Sequence, residues 1–401
     1  MTYYILPRTN YFIYKHIDYI ERETTPEPAI SYSLSHYLYE IKKKLEEREK
    51  DWDIYKKYTN PYEYVHGLVP HKKKCVSKYK PLSRSYFKMI EIINTFDINY
   101  DEKKINTFHL AEGPGGFIEA IACKRNNKDD KYIGISLLDD KNDPNIPAWK
   151  KTEQFLRTHK NVYIERGKDN TGNILSLDNF VDCKNKYGSS MDLITGDGGF
   201  DFSIDFNKQE VNIAKLLFSQ MCYALTLQKK GGTFVLKIFD CFMQHSIDIL
   251  YILSSFYEKV YIMKPNTSRY ANSEKYIICK NFQHVSSESY YGHLYNAFQK
   301  MTNATKVENI STFLSVPITN YFLTKLEEFN AIFGQQQVEN IHYTITLIDN
   351  KSSQEKIDNM IKSNIQKSTQ WCIKHNVPHN NFTTLSYTPD NIFTRLSIKI
   401  D

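Results

Sequence analysis

Residues 108–125 read FHLAEGPGGFIEAIACKR. An apolar run stops abruptly at a Gly-Pro-Gly-Gly corner and a segment with helical apolar period follows, the pattern of a strand, a tight turn and a helix. A corner without Cβ atoms lets a ligand approach the backbone closely, and strand-to-helix corners of this kind hold nucleotide-like molecules in α/β folds. The spacing is not the G-x-G-x-x-G of dinucleotide binders, and the chain has no G-x-x-x-x-G-K-[ST] phosphate loop. The corner therefore predicts a nucleoside-like ligand that is neither NAD nor ATP.

Outward from the corner, strand candidates recur as NTFHLA, KYIGISLL, NVYIE, MDLITG, GTFVLKIF, KVYIMK and EKYIICK. Helical patterns lie before the first of them (PLSRSYFKMIEIINTF), from Gly116 to about Arg125, from Lys208 to Lys229 and from Cys241 to Tyr257. Strands alternating with helices predict a mostly parallel sheet covered on both faces. The last two strands are joined only by PNTSRYANS, which is too short for a parallel crossover and predicts a hairpin. The expected architecture is thus α/β, a mostly parallel seven-stranded sheet ending in an antiparallel hairpin over 81–290. A partly helical extension, 1–80, precedes it and a mostly helical one, 291–401, follows. In the first, SLSHYLYEIKKKLEEREKDWDIYKKY reads as one helix capped by Ser33, with Leu34, Leu38, Ile41 and Leu45 as its apolar stripe.

With 401 residues, 41% of them hydrophobic, the chain can bury a sizeable core. No stretch approaches the roughly 20 apolar residues of a membrane span, and the start lacks the layout of a secretory signal, so no membrane association is expected. The seven cysteines are scattered and never in C-x-x-C pairs, which predicts reduced, structural thiols, no zinc or other metal site, and a cytosolic-type compartment. Net charge is a mild +6, but HKKKCVSKYKPLSR concentrates Lys72, Lys73, Lys74, Lys78, Lys80 and Arg84 with no acidic residue between them. Such a run is either a solvated loop or a phosphate-contacting surface.

Ligands of parallel α/β sheets sit outside the carboxyl ends of the strands, and polar residues converge there. DLITGDGGFD puts Asp197 just past one strand, GGTFVLKIFD puts Lys237 at the end of the next, and Glu274 opens the last strand at the same edge if that strand is antiparallel. A lysine in an apolar strand is costly to bury unpaired, so carboxylate neighbours such as Asp197 and Glu274 are expected. Lys88, on the helix before the first strand, could reach the group from one side. Singly, each has a bland reading as a strand-end, turn or helix-surface residue.

Taken in order, the blocks SRSYFKM, LAEGPGGF, DNTGNI, DLITGDGGFD, GGTFVLKIFD and KPNTSRYANSEKYIICKNF resemble the FtsJ-like ribose 2′-O-methyltransferases, and within them the mRNA cap enzymes of eukaryotes and large DNA viruses. The resemblance implies a Rossmann-like methyltransferase fold. It also implies S-adenosylmethionine as cofactor, S-adenosylhomocysteine as product, and a Lys-Asp-Lys-Glu tetrad falling on Lys88, Asp197, Lys237 and Glu274. Glu112, Gly113, Pro114, Gly115, Gly116 and Phe117 would cradle the methionine end of the cofactor, Asp197 would border it, and Asp169 and Asn170 would meet the adenine end. Lys237 is then the base or hydroxyl-orienting group, with Asp197 and Glu274 positioning it and Lys88 orienting it and contacting substrate. RNA, most of all 5′-capped mRNA, is the implied partner, contacted by Lys72, Lys73, Lys74, Lys78, Lys80, Arg84 and Arg269, alongside a partner from the capping or transcription machinery. The implied location is the cytoplasm, or a virus factory or virion if the chain is viral. An internal rRNA or tRNA methyltransferase and a non-catalytic RNA-binding scaffold with the same fold are the alternatives.

Overall fold

The computed structural model describes residues 3–9, 13–22, 26–98, 103–139, 148–199, 208–304, 310–350 and 353–382. They form two compact units, one from the described residues within 1–56 and 81–350 and a smaller one from those within 57–80 and 353–382.

The larger unit is built on an eight-stranded sheet. In chain order its elements are β1 (Tyr3–Ile5), β2 (Ile17–Glu21), α1 (Tyr32–Glu46), α2 (Glu49–Tyr58, which runs into the smaller unit), α3 (Ser85–Phe96), β3 (Asn106–Leu110) and α4 (Gly116–Arg125). Then follow β4 (Lys131–Ile135), α5 (Glu153–Thr158), β5 (Val162–Glu165), α6 (Leu177–Tyr187), β6 (Met191–Gly196), α7 (Gln209–Leu227), β7 (Gln228–Ile238) and α8 (Gln244–Phe256). The last are β8 (Tyr257–Met263), β9 (Lys275–Phe282), α9 (Tyr291–Asn303), β10 (Ile310–Leu314) and α10 (Asn320–Asp349).

The strand order is β1-β8-β9-β7-β6-β3-β4-β5. From β7 to β5 neighbouring strands are parallel, whereas β9 is antiparallel to both β7 and β8. All seven strands expected from 106 onward are present, and the final hairpin folds so that β9 inserts between β7 and β8. The eighth, β1, adds to the edge through Tyr3, Tyr4 and Ile5 opposite Met263, Ile262 and Tyr261. Two short strands, β2 and β10, pair only with each other. The central strands are buried on both faces and read as continuous apolar runs, as parallel strands do, with Phe108, Ile194 and Phe234 fully enclosed.

The long N-terminal helix is two helices, because the chain turns at Glu47 and Arg48, where the apolar stripe ends and charged residues follow one another. Ser33 lies inside α1 rather than capping it, and the flanking residue is Ser31 in the left-handed region. Leu38 and Ile41 pack with Val338, Ile341 and Ile345 of α10. None of the seven cysteines, six of them buried and Cys123 exposed, is in a disulfide. Among the described residues no helix is long and apolar enough to cross a membrane.

The smaller unit holds the segment Lys57–Lys80 and the helix α11 (Gln354–Lys374). Ser77 forms a β-bridge with His379, Lys78 N–H donates to the Pro378 carbonyl at 2.8 Å, and Asn364 donates to the Tyr58 carbonyl at 2.7 Å.

Candidate active site

The chain runs from β3 outward through β4 to β5, then returns to β6 on the other side of β3. This reversal opens a crevice at the carboxyl ends of β3 and β6, the place where open α/β sheets bind ligands. Glu112 stands just past β3, Asp197 just past β6, Lys237 one residue from the end of β7, and Glu274 just before β9. Because β9 is antiparallel to β7, its start lies at the same edge as the ends of the others.

The corner at 112–116 is shaped by local backbone requirements. Gly115 has φ 106, a conformation that side chains with a Cβ rarely adopt. A Cβ on Gly116 would lie 2.2 Å from Ser85 Oγ and 2.3 Å from Ser83 Oγ, so the bare backbone lets the start of α3 close onto the start of α4. Glu119 on α4 completes that joint by accepting the Leu82 N–H at 2.7 Å. The joint fixes the approach of α3 and carries Lys88, which is only 4% exposed, into the crevice.

There the lysines form two pairs. Lys88 Nζ lies 2.6 Å from Glu274 Oε1. Lys237 Nζ lies 3.3 Å from Asp197 Oδ1 and donates to the Asp197 carbonyl at 2.6 Å. Glu274 thus engages Lys88 directly and reaches Lys237 only through charge, a different division of partners from the one expected, since the strand register sets Tyr276 opposite Lys237. Burial pushes the Lys88 ammonium below its usual range while Glu274 opposes that shift. Burial also acts to raise the Glu274 carboxyl, but Lys88, Lys237 and Arg84 outweigh it and hold the group well below the usual carboxylate range.

Tyr276 joins the two pairs. Its hydroxyl donates to Asp197 Oδ1 at 2.9 Å, its ring lies 6.0 Å from Lys88 Nζ, and it packs on Phe117 at 5.9 Å between centroids. Burial and the Asp197 charge raise its hydroxyl well above the ordinary tyrosine value, so it is a neutral donor. The sequence reading passed over Tyr276, although a residue two positions after Glu274 in a strand shares its face.

A second residue it passed over is Glu91, fully buried one turn beyond Lys88. Glu91 Oε1 accepts the Asn266 N–H at 2.7 Å, and Oε2 accepts the N–H and hydroxyl of Thr267 at 3.2 and 3.1 Å. Ser268, next in the chain, donates to Glu274 Oε1 at 2.9 Å, and Lys264 donates to the Glu274 carbonyl at 2.9 Å. The β8–β9 loop is therefore gripped by α3 at both ends. Half-buried Arg269 is part of that loop, and Arg84 flanks α3 close enough to act on both Lys88 and Glu274.

Glu112 splits its two oxygens. Oε1 accepts the Phe117 N–H at 2.5 Å and holds the first turn of α4, whereas Oε2 is buried with no hydrogen-bond partner among the described residues. Burial and the nearby Asp197 charge push its carboxyl well above the ordinary value. A buried carboxylate facing a like charge fits a ligand that brings positive charge and N–H donors. The DNTGNI loop is a self-supporting turn: Asp169 Oδ1 accepts from Thr171 N–H, Thr171 Oγ1 and Asn179 Nδ2, and Asn170 has φ 59. Asp169 and Asn170 are exposed, and the Thr171 carbonyl accepts the Leu138 N–H past the end of β4. Lys72, Lys73, Lys74, Lys78 and Lys80 are exposed in the smaller unit.

The doubly wound sheet carries a glycine corner and two lysine–carboxylate pairs at its switch point, the place where open α/β folds hold their ligands. The sequence profile of the FtsJ-like methyltransferases matches residues 81–282, and the chain belongs to that family. It is 27% identical over 357 residues to the cap-specific mRNA (nucleoside-2′-O-)-methyltransferase 2 of Pongo abelii, covering 85% of this chain and 45% of that protein. It is 30% identical over 196 residues to the cap-specific mRNA (nucleoside-2′-O-)-methyltransferase 1 of Trypanosoma brucei brucei, covering 48% of this chain and 52% of that one. The chain thus spans about half the length of these curated relatives. A solved ribosomal RNA methyltransferase of Plasmodium falciparum aligns with TM-score 0.37 and 24% identity over 51% of this chain and 99% of its own.

Proposed function

We propose that this chain transfers a methyl group from S-adenosylmethionine to a ribose 2′-hydroxyl of RNA, at the 5′ cap of mRNA. The observation that carries this reading is the pairing of Lys237 with Asp197 and of Lys88 with Glu274 around Tyr276, at the crevice beside Glu112. The family supports the reaction class, and the cap-specific relatives support the substrate.

S-adenosylmethionine supplies an activated methyl group on a sulfonium. Glu112 Oε2 is the acceptor left over for the cofactor's amino group, the corner 113–116 gives it room, Phe117 and Asp197 border it, and the loop of Asp169 and Asn170 takes its adenine end. Lys237 in its neutral amine form, its ammonium proton having passed to solvent, accepts the hydrogen bond and then the proton of the ribose hydroxyl, while Asp197 and Tyr276 fix where its amine points. Lys88, buried and held by Glu274, orients the same hydroxyl from the other side. Arg84 and Arg269 flank this cluster as cations for the neighbouring phosphates.

The test uses the full chain, labelled S-adenosylmethionine and two short RNAs identical except for a methylguanosine cap. Label on the capped RNA alone is the expected result. Equal label on both would assign the chain to internal RNA sites, and failure to bind the cofactor would make it a scaffold.

A further inference from the structure

The smaller unit accounts for all of the chain's charge imbalance. In residues 57–80 and 353–382 ten lysines face only Glu63, Glu355 and Asp358, a net +7 against +6 for the whole chain, so the remainder is close to neutral. Glu63 is buried and takes the Asn60 amide, and Asp358 takes the Gln354 amide at the start of α11. From Tyr64 to Lys80 and from Asn359 to Phe382 there is no acidic residue.

The lysines of α11 are arranged as well as numerous. The helix buries Ile357, Asn364, Ser368, Trp371 and Cys372. Lys356, Lys367 and Lys374 are exposed, and their spacings of 11 and 7 residues are close to three and two helical turns, so the three form one stripe about 27 Å long. Lys362, also exposed, falls on the other flank of the buried face. Just past α11, Asn380 N–H donates to the Val76 carbonyl at 2.8 Å and Lys78 N–H to the Pro378 carbonyl, which stitches the loop bearing Lys72, Lys73, Lys74, Lys78 and Lys80 to the end of the helix that carries Lys374.

We propose that this unit is a clamp for the RNA backbone, separate from the catalytic machinery, in which the α11 stripe and the 72–80 loop bind a single strand through its phosphates. The inference rests on RNA being the substrate. Lysines with almost no interspersed acids, on a rigid helix, give a sequence-independent, salt-sensitive grip. An acidic protein segment is the competing occupant of such a surface, and competition by polyglutamate tests for it.

The experiment compares the full chain with the K356Q/K367Q/K374Q triple variant and with K362Q, all checked for unchanged melting temperature. Binding of a capped RNA of about 30 nucleotides is followed against salt without cofactor, and methyl transfer is measured on that RNA and on a capped dinucleotide. The salt slope of the triple variant should fall by about 2, from the roughly 0.7 per phosphate contact of single strands. Its KM for the long RNA should rise about tenfold or more, with turnover of the dinucleotide unchanged and K362Q close to wild type. An unchanged slope, an equal effect of K362Q, or competition by polyglutamate as strong as by RNA would overturn the clamp. Wild-type chain that binds RNA with the predicted slope but transfers no methyl would overturn the enzymatic reading and leave the clamp standing.

Discussion

The Lys88 ammonium lies 2.6 Å from the Glu274 carboxylate, and both side chains are less than a tenth exposed. Each neutralises a charge that would otherwise be stranded, so removing one partner costs far more than the pair contributes. Glu274→Ala should destabilise the chain by about 3–5 kcal/mol, read from chemical denaturation, whereas the double variant Lys88→Met with Glu274→Leu should recover most of that stability without recovering activity. Additive losses in the double variant would show that the two do not act as a pair.

Tyr276 is the hinge between the two lysine pairs, and its contribution can be isolated by removing one atom. Tyr276→Phe keeps the ring on Phe117 but takes away the donor to Asp197. Turnover should fall by about tenfold, the size of one hydrogen bond to a charged group, with the cofactor KM little changed. A loss confined to KM would place Tyr276 in binding rather than in positioning Lys237.

Glu91 holds the Asn266–Thr267 backbone from which Ser268 reaches Glu274. Glu91→Gln keeps one acceptor and the volume but faces an N–H group with a donor. It should lower kcat about tenfold, leave cofactor affinity unchanged, and be partly rescued by Glu91→Asp. Equal losses of kcat and cofactor affinity in both variants would reduce Glu91 to a general structural role.

The pH dependence of the unliganded protein follows from Glu112. Its folded carboxyl binds a proton more tightly than the unfolded one, whose value lies near 4.5. Stability therefore falls as pH rises from about 4.5 through the raised folded value, as the buried group is forced to ionise beside Asp197. Glu112→Gln should flatten that slope in melting temperature against pH, and should weaken cofactor binding most at high pH, where the wild-type carboxylate is charged. A slope unchanged by the substitution would remove Glu112 from this role.

The core of this fold was legible because its signals are local. The strand, corner and helix of 108–125 depend on neighbouring residues, and α4 spans Gly116–Arg125 as its period implies. The pairing of β10 with β2 was not legible, since each is a short strand whose only strand partner among the described residues lies about three quarters of the chain away; neither segment has a reason to be extended without the other. The tetrad positions could be read from strand ends, but which carboxylate meets which lysine depends on register. That register sets Tyr276 opposite Lys237 and leaves Glu274 to Lys88. The sorting of charge into one small unit was hidden too, because segments distant in sequence, 57–80 and 352–401, contribute to it.

The most direct measurement is methyl transfer to capped RNA by wild type and Lys237→Met, with the folded state of both verified and the labelled position mapped by nuclease digestion. Label at a ribose 2′ position in the wild type, reduced by roughly 10²–10⁴-fold in the variant while cofactor binding persists, is the expected result. Near-normal turnover by Lys237→Met, or label on a base rather than a ribose, would contradict it.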